Sequence, residues 1–273
     1  MDLKTLRDTP PWDRPKNTGA MVLEVLRNPQ ADAADRILAV EVAGDFTVID
    51  DELAAQLLLL VRNPAESEEL RGDAAIALGP VLEYSDEEGF EDADLPITER
   101  TFQTIRESLH AVFLDTAVPK EVRRRVLEAS VRAPQAWHAE AVSDAYASGD
   151  GDWRLTAVFC MQYVRGFDAQ ILEALKNESA EIRQEAVCAA GAQAVEAAWP
   201  SVAPLLALKT PKPLLLAAIE ASIFVAPEDA PGRLRPLLRS SDEDVVEAVH
   251  EALSMIEGLA EDGDEEEHEG TWH

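Results

Sequence analysis

The residues that could do chemistry are few and scattered. Five histidines stand at His110, His138, His250, His268 and His273. None sits in the His-Glu-x-x-His spacing that would put two imidazoles and a general base on one helical face. His250-Glu251 and His268-Glu269 could each offer one imidazole and one carboxylate to a metal. The second pair lies in a run of acids near the C-terminus, so the body of the chain offers one pair, too few ligands to enclose two ions. Cys160 and Cys188 fall in predicted helices and read as reduced thiols in or beside the core. Two cysteines make neither a disulfide framework nor a Cys-x-x-Cys metal site. There is no Gly-x-Ser-x-Gly elbow and no phosphate loop. The residues therefore predict no catalytic constellation, no metal site and no cofactor.

The elements that would position such groups are announced by repetition. Glu181 to Gly191 reads Glu-Ile-Arg-Gln-Glu-Ala-Val-Cys-Ala-Ala-Gly, and the phrase recurs at Arg36 with Ala39, Val40, Ala43 and Gly44. Looser copies begin at Arg71, Arg123 and Arg154, and two degenerate copies at Leu214 and Val245 lack the arginine. The anchors are spaced by 35, 52, 31, 29, 31 and 31 residues. A period near thirty marks a stacked array of helical hairpins. The fold class is predicted to be all-α, a right-handed α-solenoid of about seven helix pairs, the phrase lying on the second helix of each. Arg36, Arg71, Arg123, Arg154 and Arg183 are read as a structural ladder joining each repeat to the next through loop carbonyls and acids. The alanines would let facing helices approach closely, and Gly44, Gly79 and Gly191 suit helix ends in a left-handed conformation.

The turns repeat too. Leu26-Arg27-Asn28-Pro29 matches Val61-Arg62-Asn63-Pro64, with variants at Leu175-Lys176-Asn177, Leu208-Lys209-Thr210-Pro211 and Leu238-Arg239-Ser240-Ser241. A cation there complements the negative end of the first helix, and Asn, Thr or Ser is expected to cap the second. Ser241 with Asp244 resembles a capping box. Residues 1–19, rich in proline, read as an extended capping arm whose Trp12 covers the first repeat. The array runs from 20 to 260, with an acidic loop inserted at 85–95, and 261–273 reads as a disordered acidic tail. Pro200, Pro204 and Pro236 predict short first helices in the last two repeats.

Composition narrows the partners. Formal net charge is −29, from 53 acidic and 24 basic residues. Such a field disfavours nucleic acid and anionic membrane. Six of the cations are lysine, a bias that suits either a high-salt proteome or a GC-rich genome. The N-terminus has no apolar signal core and no run approaches ~18 apolar residues, so a cytoplasmic protein without a membrane partner is expected.

A thirty-residue helix pair, with arginine near the start of its second helix and small residues after it, resembles the HEAT-like repeats of bacterial α-solenoids over roughly residues 20–260. The resemblance implies a fold and leaves function open. Among proteins of this kind, deoxyhypusine hydroxylases use several His-Glu pairs from different repeats, where this chain's array has one. DNA glycosylases use a basic concave groove, which the net charge opposes, and in the bilin lyases nothing here matches a chromophore-binding residue.

Phasing the second helices on the arginine puts the first, fifth and ninth following positions on one face. In one repeat these are Leu155, Phe159 and Tyr163, and in the preceding one Arg124, Glu128 and Arg132, with Arg125 beside them. The leading reading is a non-catalytic scaffold or adaptor. It would bind a segment with apolar and acidic residues through Arg124, Arg125, Arg132, Leu155, Phe159 and Tyr163 on the concave face. The alternative is an accessory or lyase-like subunit acting on a cofactor-bearing protein.

Overall fold

A computed structural model describes the backbone of residues 2–91 and 94–269, and the side chains of that set as far as residue 259. The chain divides into two compact units, residues 1–138 and 139–273. The first holds α1 (Leu3–Asp8), α2 (Thr18–Arg27), α3 (Ala33–Ala43), α4 (Asp51–Arg62), α5 (Glu68–Ile76), α6 (Gly79–Glu88), α7 (Glu99–Leu114) and α8 (Lys120–Ser130). Helix α9 (Ala136–Ala147) spans the boundary. The second unit continues with α10 (Gly151–Cys160), α11 (Asp168–Ala174), α12 (Ala180–Ala192), α13 (Trp199–Val202), α14 (Lys212–Val225), α15 (Ala230–Leu234) and α16 (Glu243–Glu269). No strand occurs among the described residues, and no helix there is long and apolar enough to cross a membrane. The chain is all-α. Among the described residues all helices but α1 and α6 fall into seven successive pairs: α2–α3, α4–α5, α7–α8, α9–α10, α11–α12, α13–α14 and α15–α16.

Each recurring phrase lies on the second helix of its pair. Within the first unit α3 packs on α5 and α5 on α8; within the second α10 packs on α12, α12 on α14 and α14 on α16. The third, fourth and seventh residues after each anchor supply the buried face, except that Ala248 on α16 is half-buried. In the first copy these are Ala39, Val40 and Ala43, and in the fifth Ala186, Val187 and Ala190, none more than 1% exposed. That spacing is one stripe of an α-helix. The third position is alanine in six of the seven copies, which lets the neighbouring second helices approach closely.

The glycines do something other than end helices. Gly44 has φ −78°, and Gly191 lies inside α12. The positive-φ glycines are Gly89, Gly149 and Gly166. A Cβ on Gly44 would come within 2.8 Å of the Ala77 Cα, and one on Gly191 within 2.7 Å of the Ala221 Cα. On Gly79 it would meet the Arg132 side chain at 2.8 Å. The eighth position is glycine because the next layer's backbone or side chain occupies the space a Cβ would need.

The turn residues also act differently. Asn28 and Asn63 close α2 and α4, and their side chains accept from the backbone N–H two residues on, Gln30 and Ala65, both at 3.0 Å. These are Asx turns. The caps of the second helices come later, from Asp32, Ser67 and Ser179. At α16 it is Asp242, not Ser241, that accepts from the Asp244 N–H, at 3.1 Å.

Three expected boundaries shift. The arm contains a helix, α1, packed on α3, and Leu6 is its fully buried anchor, while Trp12 is 82% exposed and covers nothing. Asp2 nucleates α1 by accepting from the Thr5 N–H, which the proline pattern did not reveal. The long interval is filled by α6 as well as a loop: Val81, Leu82 and Ser85 are buried against the unit, so 85–88 is helix, and Gly89 at φ +70° ends it. Backbone helix also continues through Glu269, where a disordered tail is expected from Glu261. Glutamate is a good helix former, and extending an anchored helix needs no new nucleation. Side chains from Ala260 onward and residues 270–273 lie outside the described set. The proline-rich first helices are short, as expected: α13 has 4 residues and α15 has 5.

The close approach gives a direct test. Gly191→Ala is expected to destabilise the chain by about 1–3 kcal/mol, since the overlap is with backbone. Gly258→Ala, where a Cβ meets open space, should stabilise it by up to about 1 kcal/mol. Urea melts of the two variants read the contrast.

Candidate functional site

The arginines of the phrase bind mainly backward. Arg71 donates from Nε to the Val61 carbonyl at 2.9 Å, and Arg123 to the Phe113 carbonyl at 2.7 Å. Arg183 donates to the Asn177 and Glu178 carbonyls at 2.8 and 2.9 Å. The Arg154 guanidinium lies 5.4 Å from the Tyr146 ring centroid. In each case a second helix is fastened to the first helix or turn of its own pair, where carbonyls at a helix end need donors. Arg36 makes the forward step, binding Glu66 in the next pair through two hydrogen bonds of 2.6 and 2.7 Å. Hydrogen bonding from Arg36 holds the Glu66 carboxyl below its ordinary value.

The proposed arginine cluster is compensated from within. Arg124 is 6% exposed and binds Glu121 at 2.6 Å, with Glu128 at 3.9 Å. Arg125 meets the same two acids at 3.1 and 2.9 Å, and Arg132 pairs with Glu83. Asp73 faces Arg125, its carboxyl raised by burial and then by Glu69. Reversing Arg124 would bury a third carboxylate between Glu121 and Glu128, so it damages folding before it reports on binding.

Leu155, Phe159 and Tyr163 belong to the second unit and are half-buried. Phe159 and Tyr163 have ring centroids 5.7 Å apart. The arginines and these residues belong to different units. On α8 the first and fifth positions, Arg124 and Glu128, are buried, and on α10 they are half-buried. On α14 the first and fifth positions, Leu215 and Ile219, are buried, and the exposed row lies one residue later, at Glu220 and Phe224. The matching row on α16 is Glu247, Glu251 and Met255.

These rows form a continuous strip on the second helices. Gln162 donates to Glu185 on α12 at 2.9 Å and lines a cavity of about 140 Å³ with Cys188, Glu220 and Phe224. Glu220 also borders a groove of about 570 Å³ between α14 and α16, whose other walls include Ile223, Glu247, Glu251 and Met255. Burial, then Glu185 and Glu220, pushes the Cys188 thiol up to about 12. It stays protonated near neutral pH and is a poor nucleophile.

A serine and a histidine do meet, in the first unit, and spacing gave no sign of it. The Gln135 N–H donates to His138 Nδ1 at 2.8 Å, which places the ring proton on Nε2, 3.0 Å from Ser130 Oγ. Nε2 therefore donates to the serine, which in turn faces the Leu127 carbonyl. An imidazole so arranged has no lone pair to take the serine's proton. Both residues are fully buried, and the pair fastens the α8–α9 turn. Burial, with His110 and Arg106 adding, pushes His138 down to about 4. Among the described residues no group of three or more His, Cys, Asp or Glu is arranged to hold a metal ion. His250 and Glu251 stand on the α16 surface; the side chains of His268 and Glu269 lie outside the described residues.

No protein-family profile and no curated protein matches this chain. Solved structures similar to it include the E. coli protein YibA, at 14% identity and TM-score 0.47, covering 93% of this chain and 85% of that one. An engineered protein is 17% identical at TM-score 0.48, over 93% and 72% of the two chains. Human deoxyhypusine hydroxylase in complex with glycerol is 18% identical at TM-score 0.43, over 94% and 88%. Likeness at this level assigns no activity.

Two tests follow from the site's buried groups. Arg36→Ala strands Glu66 and should cost about 3 kcal/mol, whereas the double change Arg36→Met/Glu66→Leu should stay within about 1 kcal/mol of the parent. For His138, the unfolded chain takes up a proton below pH 6.5 that the folded chain refuses until about 4. Stability should thus fall as pH falls through that window, by up to about 3 kcal/mol, with no contribution above it. In urea melts against pH, His138→Gln should show a correspondingly shallower loss than the parent.

Proposed function

We propose that this chain is a non-catalytic, HEAT-like protein-binding scaffold whose contact surface is the strip on its second helices. The observation that carries this reading is the recurrence of exposed or half-exposed apolar side chains on successive second helices of the second unit: Phe159 and Tyr163, then Phe224, then Met255. Large apolar groups in a row on one layer, with carboxylates between them and grooves beside them, fit a surface that receives a segment of another protein. Aromatic and methionine side chains are the types enriched where such contacts form. The arginines of the first unit, offset by their own glutamates, support this role less well than the sequence suggests. Arg124 in particular belongs to the folded core of its helix pair.

Photo-crosslinking tests the surface. p-Benzoylphenylalanine at Phe224 or at Met255 should trap a discrete protein in the native cell. The same group at Leu59, an apolar position 61% exposed on the first helix α4, should not. Equal trapping from Leu59, or none from the two strip positions, overturns the reading.

A further inference from the structure

We infer that the segment bound by this strip is cationic and apolar, and that its seat is the groove between α14 and α16. This rests on the protein-binding reading above and names the partner's chemistry. Lys212, the first residue of α14, binds Asp242 and Asp244 at the start of α16 at 2.8 and 2.5 Å. The two N-termini therefore lie together, and because the helices pack along their length they run the same way. Side by side, they present two rows at four-residue spacing. On α14 the row is Glu220 then Phe224; on α16 it is Glu247, Glu251, Met255 and then Leu259.

The groove thus changes character along its axis. Carboxylates edge the end nearer the helix N-termini. Met255, 49% exposed, lines the other, and Phe224 and Leu259, 41% and 48% exposed, continue the two rows beyond it. Between the rows lie Ile219, Ile223, Ala248 and Ala252. Lys212 is occupied by its own aspartates, and Glu220, Glu247 and Glu251 have no hydrogen bond or ion pair among the described residues. The rim is therefore anionic and unneutralised while the floor is apolar. An amphipathic segment with Lys or Arg toward one end and Leu-like side chains toward the other complements both. A second copy of this chain, at −29, would bring like charge to the rim, and nucleic acid would do the same.

The probe is a fluorescent helical peptide of about 18 residues, five turns, built from leucine and lysine, with leucine/serine and leucine/glutamate peptides of the same apolar pattern. The lysine peptide should bind, more weakly as salt is raised, and the serine and glutamate peptides should bind at least about tenfold less tightly. Glu247→Lys/Glu251→Lys should weaken the lysine peptide by about tenfold or more, and Met255→Asp should weaken it too. Glu87→Lys/Glu88→Lys, the same charge change on α6, should leave it unaltered. All substituted positions are exposed, and circular dichroism checks each fold. The cationic assignment falls if the serine or glutamate peptide binds equally, if no peptide binds, or if the α16 and α6 variants behave alike. Any of these leaves the scaffold reading to stand or fall on the crosslinks at Phe224 and Met255.

Discussion

The contact on which the remaining structure depends is the close approach of successive second helices. Ala77 lies where a Cβ of Gly44 would be, and Ala221 where a Cβ of Gly191 would be. Interfaces this tight tolerate little error in rotation or height. They fix the phase of each second helix and so decide which side chains are left facing out. The buried stripe at the third, fourth and seventh positions is the other half of the same constraint. Alanine at the third position lets one helix be packed from both sides, while Leu78, Leu127, Met161 and Ile219 anchor the same layer.

The arginines secure what this packing leaves loose. A helix hairpin ends its first helix on unpaired carbonyls, and Arg71, Arg123 and Arg183 supply donors to the Val61, Phe113 and Asn177 carbonyls. The Asx turns at Asn28 and Asn63 close the chain over the same ends. His138 and Ser130 do a related task at the α8–α9 turn, where a buried neutral imidazole links backbone N–H to hydroxyl. Groups that would read as chemistry in another setting are here used to satisfy backbone. Arg124, Arg125 and Arg132 of the first unit are matched by Glu121, Glu128 and Glu83; in the second unit the exposed rows on α14 and α16 are acidic with apolar side chains.

On the proposed reading the partner is cationic where the sequence led to an expectation of acids. A cluster such as Arg124, Arg125 and Arg132 in a sequence suggests a docking place for acids. In the folded chain those arginines hold their own helix and α6, while Glu220, Glu247 and Glu251 on α14 and α16 have no ion pair among the described residues.

The sequence by itself determined the all-α class, the seven helix pairs and the placing of each phrase on a second helix. A thirty-residue period and a three-four-seven apolar stripe are local patterns that survive in one dimension. It also made the proline-shortened α13 and α15 legible. Tertiary structure alone decided the rest. Gly44 and Gly191 are glycine because of atoms some thirty residues away, which no local rule for helix ends can see. Helix α1 is held by the burial of Leu6, and α6 by that of Val81 and Leu82, burial that only the folded unit defines. The candidate surface drifted by one residue between α10 and α14, because a helix face is set by what packs behind it and not by distance from an anchor. Finally, Glu121 and Glu128 stand at helical spacing from Arg124 and were legible in the sequence, whereas Glu83, 49 residues from Arg132, was brought to it only by the fold.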